Sequence, residues 1–98
     1  RLDLDRSSAF ARHGMDGWEF DVLSTLRRAG PPYELSPGDL VRATLVTSGT
    51  MTNRIDRLTA RGWVERAPSP RDRRSVIVRL TDDGRTAVDA AAALGGPG

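Results

Sequence analysis

Between Leu35 and Thr81 the chain carries a fixed order of local signals that leaves few folds open. Ser36-Pro37-Gly38-Asp39 combines a capping hydroxyl, a proline at the first helical position and an acid three residues after the cap, which predicts a short helix. Leu40, Val41 and Leu45 are expected to form its buried side. Thr47-Ser48-Gly49 predicts a tight turn and the cap of a second helix over 50–61, which Gly62 stops. Strands are expected over 63–67 and 76–80, the second alternating Val76, Val78 and Leu80 against Ile77 and Arg79. Between them lies Pro68-Ser69-Pro70-Arg71-Asp72-Arg73-Arg74, polar and strongly basic. Helix, turn, helix, strand, charged loop and strand together spell a winged helix-turn-helix, which sets one helix in the DNA major groove and a loop beside it. The expected class is α+β, mostly α, with a small antiparallel β-hairpin as the wing.

The flanks add scaffold. Asp16 followed by Glu19 resembles a capping box. The helix it opens bears Trp18, Phe20, Val22, Leu23 and Leu26 on more than one face, as a helix between two layers does. Gly30-Pro31-Pro32 breaks it. Residues 1–13 could form a helix or helix end around Leu4, Phe10 and Ala11, stopped by His13-Gly14. Thr81-Asp82-Asp83 opens a last helix running through Ala87, Val88, Ala91 and Leu94. A length of 98 residues fits one domain over 1–98, with the helix-turn-helix at 36–61 and the wing at 63–80.

Composition removes several function classes. Without cysteine there is no disulfide or thiol switch, and one histidine gives a poor basis for a metal site. No cofactor is expected. No Gly-rich phosphate loop or Ser/His/Asp arrangement suggests catalysis. No apolar run reaches membrane-spanning length and the start has no signal-peptide core, so the expectation is a soluble, cytoplasmic protein with no membrane partner. The net charge of +2 hides an asymmetry: residues 36–80 hold nine arginines and four acids, the remainder six arginines and nine acids. A local anionic partner follows from that segregation. That every basic residue is arginine carries no such weight, because GC-rich coding produces the same excess.

At roughly 100° per residue, Met51, Ile55 and Leu58 cluster on one side of helix 50–61. Thr50, Asn53, Arg54, Arg57 and Arg61 fall in a stripe on the other. A hydroxyl, an amide and guanidiniums are the groups that read base edges and grip phosphates. Arg71, Arg73 and Arg74 at a hairpin tip suit a narrow minor groove. Asp72 is expected to fix the loop by pairing with a neighbouring arginine. An ordinary solvated helix face and a loose charged turn are the bland readings of the same residues, and their succession along the chain favours the sharper one.

These motifs carry a resemblance. Gly62-Trp63-Val64-Glu65-Arg66, Pro68-x-Pro70-x-Asp72-Arg73-Arg74 and Val76-x-Val78-x-Leu80-Thr81 look like the wing region of MarR-family transcriptional regulators. Thr47 to Leu58 resembles their recognition helix, which adds Ser48 and Thr52 to the DNA-contact candidates. The similarity spans roughly residues 15–90. It implies a homodimer that binds double-stranded DNA at a pseudo-palindromic operator and usually represses nearby genes. It also implies release by a small phenolic or lipophilic effector bound between the DNA-binding and dimerisation layers. Phe10, His13, Trp18 and Phe20, with Tyr33, lie near that layer and are the candidate effector contacts, although aromatics at helical spacing more often belong to a core. The family dimerises through terminal helices; 1–13 and 82–94 would be partial versions, the rest lying outside this chain or lost by truncation. The cysteine and His/acid patterns of its oxidation- and metal-sensing branches are lacking. The alternatives are a winged helix used for protein interaction, or a small-molecule module without DNA contact. The first calls for an apolar outward face on helix 50–61, and the basic loop argues against the second.

Overall fold

The computed structural model describes residues 14–95, with side chains through Ala93. Expectations for residues 1–13, including Phe10 and His13, and for the Leu94 side chain lie outside the described residues.

Helix α1 (Gly17–Arg28) opens with the expected capping box: the Asp16 N–H donates to Glu19 Oε1 at 2.8 Å. Its buried stripe is Glu19, Val22, Leu23 and Leu26, the i, i+3/i+4, i+7 pattern of a core-facing helix, and Met15 is buried just before its start. Trp18 and Phe20 lie only half-buried at its edges, so the buried surface is one face rather than several. An acid thus occupies a core position, a feature the aromatic-rich reading of this helix missed.

After α1 the chain forms a short strand that the sequence did not announce, β1 (Glu34–Leu35). Helix α2 (Pro37–Thr44) is capped by Ser36, whose Oγ accepts from the Asp39 N–H at 3.0 Å. The Ser36 hydroxyl and Arg42 hold the Asp39 carboxyl below its ordinary pKa. Leu40 is fully buried as expected, but Leu45 is not: it is 88% exposed. The helix ends at Thr44 and Leu45 turns left-handed (φ 58°), so the helical spacing that would have buried it no longer applies. Val46 packs against the core instead.

Helix α3 (Ser48–Ala60) begins two residues before the expected start, with the Thr50 N–H donating to Thr47 Oγ1 at 3.1 Å. Met51, Ile55 and Leu58 are buried as the periodicity requires. Gly62 ends it in a left-handed conformation (φ 77°), with Gly62 N–H bonded to the Thr59 carbonyl and Trp63 N–H to that of Leu58.

Strands β2 (Val64–Pro68) and β3 (Val76–Leu80) form the wing hairpin, and β1 adds to the other side of β3, giving the antiparallel order β1-β3-β2. Val64 faces Leu80 and Pro68 faces Val76, while Leu35 faces Val78. The strict alternation expected for β3 fails at its outer end. Ile77 is buried and Val76 is exposed; Ile77 lies at the base of a surface cleft that it lines with Leu35, Ser69 and Pro70. Arg79 reaches across both ladders to Glu34 (2.9 Å) and Glu65 (3.5 Å), and these acids, Glu34 first, raise its pKa.

Helix α4 (Asp82–Gly95) closes the fold against α1, where Arg27 pairs with Asp89 at 3.1 Å. Thr81 locks its start: the hydroxyl donates to the Gly62 carbonyl (2.7 Å) and accepts from the Gly84 N–H (3.0 Å). Gly84 is required there, since a Cβ would collide with the Trp63 carbonyl and the Leu80 side chain. Val88 and Ala91 are buried from α4.

Candidate nucleic-acid interface

With Met51, Ile55 and Leu58 turned inward, α3 leaves Ser48, Gly49, Thr50, Thr52, Asn53, Asp56 and Arg57 exposed. Two hydroxyls are already engaged. Thr52 Oγ1 donates to the Ser48 carbonyl at 3.0 Å, and Thr50 Oγ1 accepts from the Thr47 hydroxyl at 2.9 Å. Thr50 keeps further acceptor capacity, while Thr52 is bound back onto its own helix. Asn53 stands free among the described residues, with an amide suited to pairing with adenine.

The basic stripe divides. Arg54, Arg57 and Arg61 all meet residues at the start of α1, but in different ways. The Arg54 and Arg57 guanidiniums lie 5.5 and 5.2 Å from the centroid of the Trp18 ring. Arg61 donates to both carboxylate oxygens of Glu19, at 3.0 and 3.1 Å, and sits 3.8 Å over Trp63. This pair explains the acid in the core. Glu19, only 2% exposed, has its charge met by a guanidinium and the Asp16 N–H, without which burial would be strongly unfavourable. Arg61, expected on the outward stripe, is therefore corrected to a structural residue.

Asp56 would place a negative charge on the outward face. Arg66 of β2 neutralises it across 2.5 Å and at the same time joins the helix to the wing.

The wing is fixed from within. The Ser69 N–H donates to the Ser75 carbonyl and the Ser75 N–H to that of Asp72, both at 2.9 Å. Asp72 Oδ1 accepts from the Arg74 N–H at 3.0 Å, and Oδ2 from the Ser75 hydroxyl at 3.4 Å. Asp72 thus anchors the loop as expected, but through backbone N–H and hydroxyl groups rather than an arginine side chain. Among the described residues the exposed guanidiniums of Arg71, Arg73 and Arg74 have no ion-pair partner.

Of the candidate effector contacts, Trp18 supports the α3 arginines and Phe20 packs against the core. Two surface clefts, of about 220 and 350 Å³, lie along the wing and are not lined by either residue. Among the described residues no His/Cys/Asp/Glu group is arranged to hold a metal, and no helix is long and apolar enough to cross a membrane. The sequence reading placed Glu19 only in the capping box and missed its pairing with Arg61, and it missed the pairing of Arg66 with Asp56. Neither pairing leaves a local signal, because the partners are distant in sequence.

This arrangement has close counterparts. The regulator PecS of Dickeya dadantii is 43% identical over 83 residues, covering 85% of this chain and 50% of its own. A crystal structure of a single-site mutant of MarR from E. coli superposes with a TM-score of 0.86 at 32% identity, over 97% of this chain and 68% of that one. The same mutant complexed with operator DNA gives 0.84 at 32% identity, over 93% and 63%. The chain spans about half the length of the curated relatives it matches. The MarR family model matches residues 13–75, which contain the capped α1, the helix-turn-helix and the Asp-Arg-Arg wing. The chain belongs to the MarR family.

Proposed function

We propose that this chain is the DNA-reading part of a transcriptional regulator, with α3 in the major groove and the wing arginines in the flanking minor groove. One observation carries the reading: an exposed polar face on α3, centred on Asn53 and Arg57, is joined through Asp56–Arg66 to a wing bearing three unpaired guanidiniums. Ser48 and Thr50 approach the backbone at the helix start, Asn53 reads a base edge, and Arg57 and Arg54 grip phosphate. Thr52 stiffens the first turn. Arg71, Arg73 and Arg74 enter or border the minor groove, and Asp72 shapes their loop. The likeness to an E. coli relative complexed with operator DNA supports DNA as the partner.

The intact protein acts as a homodimer in the cytoplasm, joined through its terminal helices. Its two copies of α3 are set about one helical turn of DNA apart on a pseudo-palindromic operator. It is a repressor released by a small lipophilic or phenolic effector, with Trp18 and Phe20 near the layer where such a molecule binds. No catalytic role belongs to it.

Titration of duplex DNA from beside its own gene, at several salt concentrations, tests the reading. Affinity should fall steeply with salt, because each neutralised phosphate releases counterions. Asn53→Ala should cost about 1–3 kcal/mol at the cognate site and far less on random duplex. Salt-indifferent affinity would sink the proposal, and equal losses on both duplexes would reduce Asn53 to a backbone contact.

A further inference from the structure

Arg54 and Arg57 present a problem of charge. They stand one helical turn apart and both lie within 5.5 Å of one ring centroid, so two cations share a single indole. Two nearby acids are already paired: Glu19 holds Arg61 and Asp56 holds Arg66. Among the described residues neither guanidinium has an ion-pair partner. Two like charges on one ring repel, and an anion that binds both relieves the repulsion.

Trp18 is well placed to arrange this. It sits in the first turn of α1, half-buried and packed against the core, so its ring is part of the rigid frame. A guanidinium attracted to an aromatic face is confined while its edge N–H groups remain free to bind an oxyanion bidentately. Ordering a long side chain before it binds removes part of the entropy lost on binding. We propose that Trp18 is a positioning residue for DNA contact, orienting the Arg54 and Arg57 guanidiniums toward a shared backbone phosphate. The inference rests on the DNA-binding reading above and assigns its phosphate grip to a residue outside the helix-turn-helix.

The test is a mutant cycle in the intact protein. Trp18→Leu should weaken duplex binding by about three- to tenfold, the range expected for losing one or two such contacts. Trp18→Phe, which keeps an aromatic face, should retain most of the affinity. In an Arg54→Ala/Arg57→Ala background the Trp18→Leu change should alter affinity by less than about twofold. An equal loss in both backgrounds, no loss, or tighter binding by Trp18→Leu would overturn the proposal.

Two further measurements stand apart from the indole's packing. Arg54→Lys/Arg57→Lys keeps both charges but not the planar faces, and should weaken binding with an unchanged salt slope; unchanged affinity counts against the role. In the DNA-free protein, NMR relaxation of the arginine Nε–H groups should show Arg54 and Arg57 loosened by Trp18→Leu while Arg66 is unaffected. Unaltered order would overturn the role even where DNA binding holds, whereas a wild-type protein that binds no duplex overturns the DNA reading itself, and the role with it.

Discussion

Arg54, Arg57 and Arg61 rest against the start of α1, whereas Arg71, Arg73 and Arg74 stand in solvent on a loop held by its backbone and by Asp72, Ser69 and Ser75 rather than by the guanidiniums. Each set has three guanidiniums within a few residues, and composition cannot tell them apart. The difference lies in what surrounds them. Beside α3, the buried carboxylate of Glu19 ties Arg61 into the fold, and Trp18 gives Arg54 and Arg57 an aromatic face against which they are placed. On the wing, Asp72 spends its acceptors on the Arg74 N–H and the Ser75 hydroxyl, which leaves the guanidiniums free to reach. Identical side chains thus serve position in one region and reach in the other.

Arg61→Ala should break the comparison most severely. It strands the buried Glu19 carboxylate, with only the Asp16 N–H left among its described partners. Removing one member of a buried pair costs about 3–5 kcal/mol, and because Arg61 is 38% exposed the lower part of that range is expected. Urea denaturation checks it; a loss under about 1 kcal/mol would mean that water reaches Glu19 freely.

The wing should respond in the opposite sense. Arg73→Ala and Arg74→Ala should change folding stability by less than about 0.5 kcal/mol, as exposed loop substitutions do, yet weaken DNA binding and reduce its salt slope by about one unit each. Paired melting curves and salt titrations separate the two effects. Mutants that unfold the domain would move these arginines into the structural class with Arg61.

The smallest effect concerns the turn that joins α2 to α3. Leu45 holds a left-handed conformation with its side chain exposed, so it carries backbone strain with little burial in return. Leu45→Asn should stabilise the fold by up to about 1 kcal/mol, since asparagine tolerates that conformation better. If duplex affinity falls while stability rises, the exposed leucine has a role at the interface; a loss of stability would show that it packs in solution.

Much of this was legible in the sequence because it depends on near neighbours. Caps at Asp16, Ser36 and Thr47, the stop at Gly62 and the buried triplet Met51, Ile55 and Leu58 are set within four residues, where hydrogen-bond reach and helical period decide. The Asp-Arg-Arg wing was readable as a loop for the same reason.

The tertiary structure decided what depends on residues far apart in the chain. Glu19 and Arg61 stand 42 positions apart in the sequence, and nothing local marked them as partners. Packing α3 against α1 alone made a core position acceptable to an acid and gave Arg54 and Arg57 a common platform on Trp18. The third strand arose similarly: Glu34 and Leu35 are too short a run to declare themselves, and β3 supplies their hydrogen-bond partners and the Arg79 charge. Local physics determined which segments are helix, turn and wing; the contacts between them determined which arginines are held and which are free.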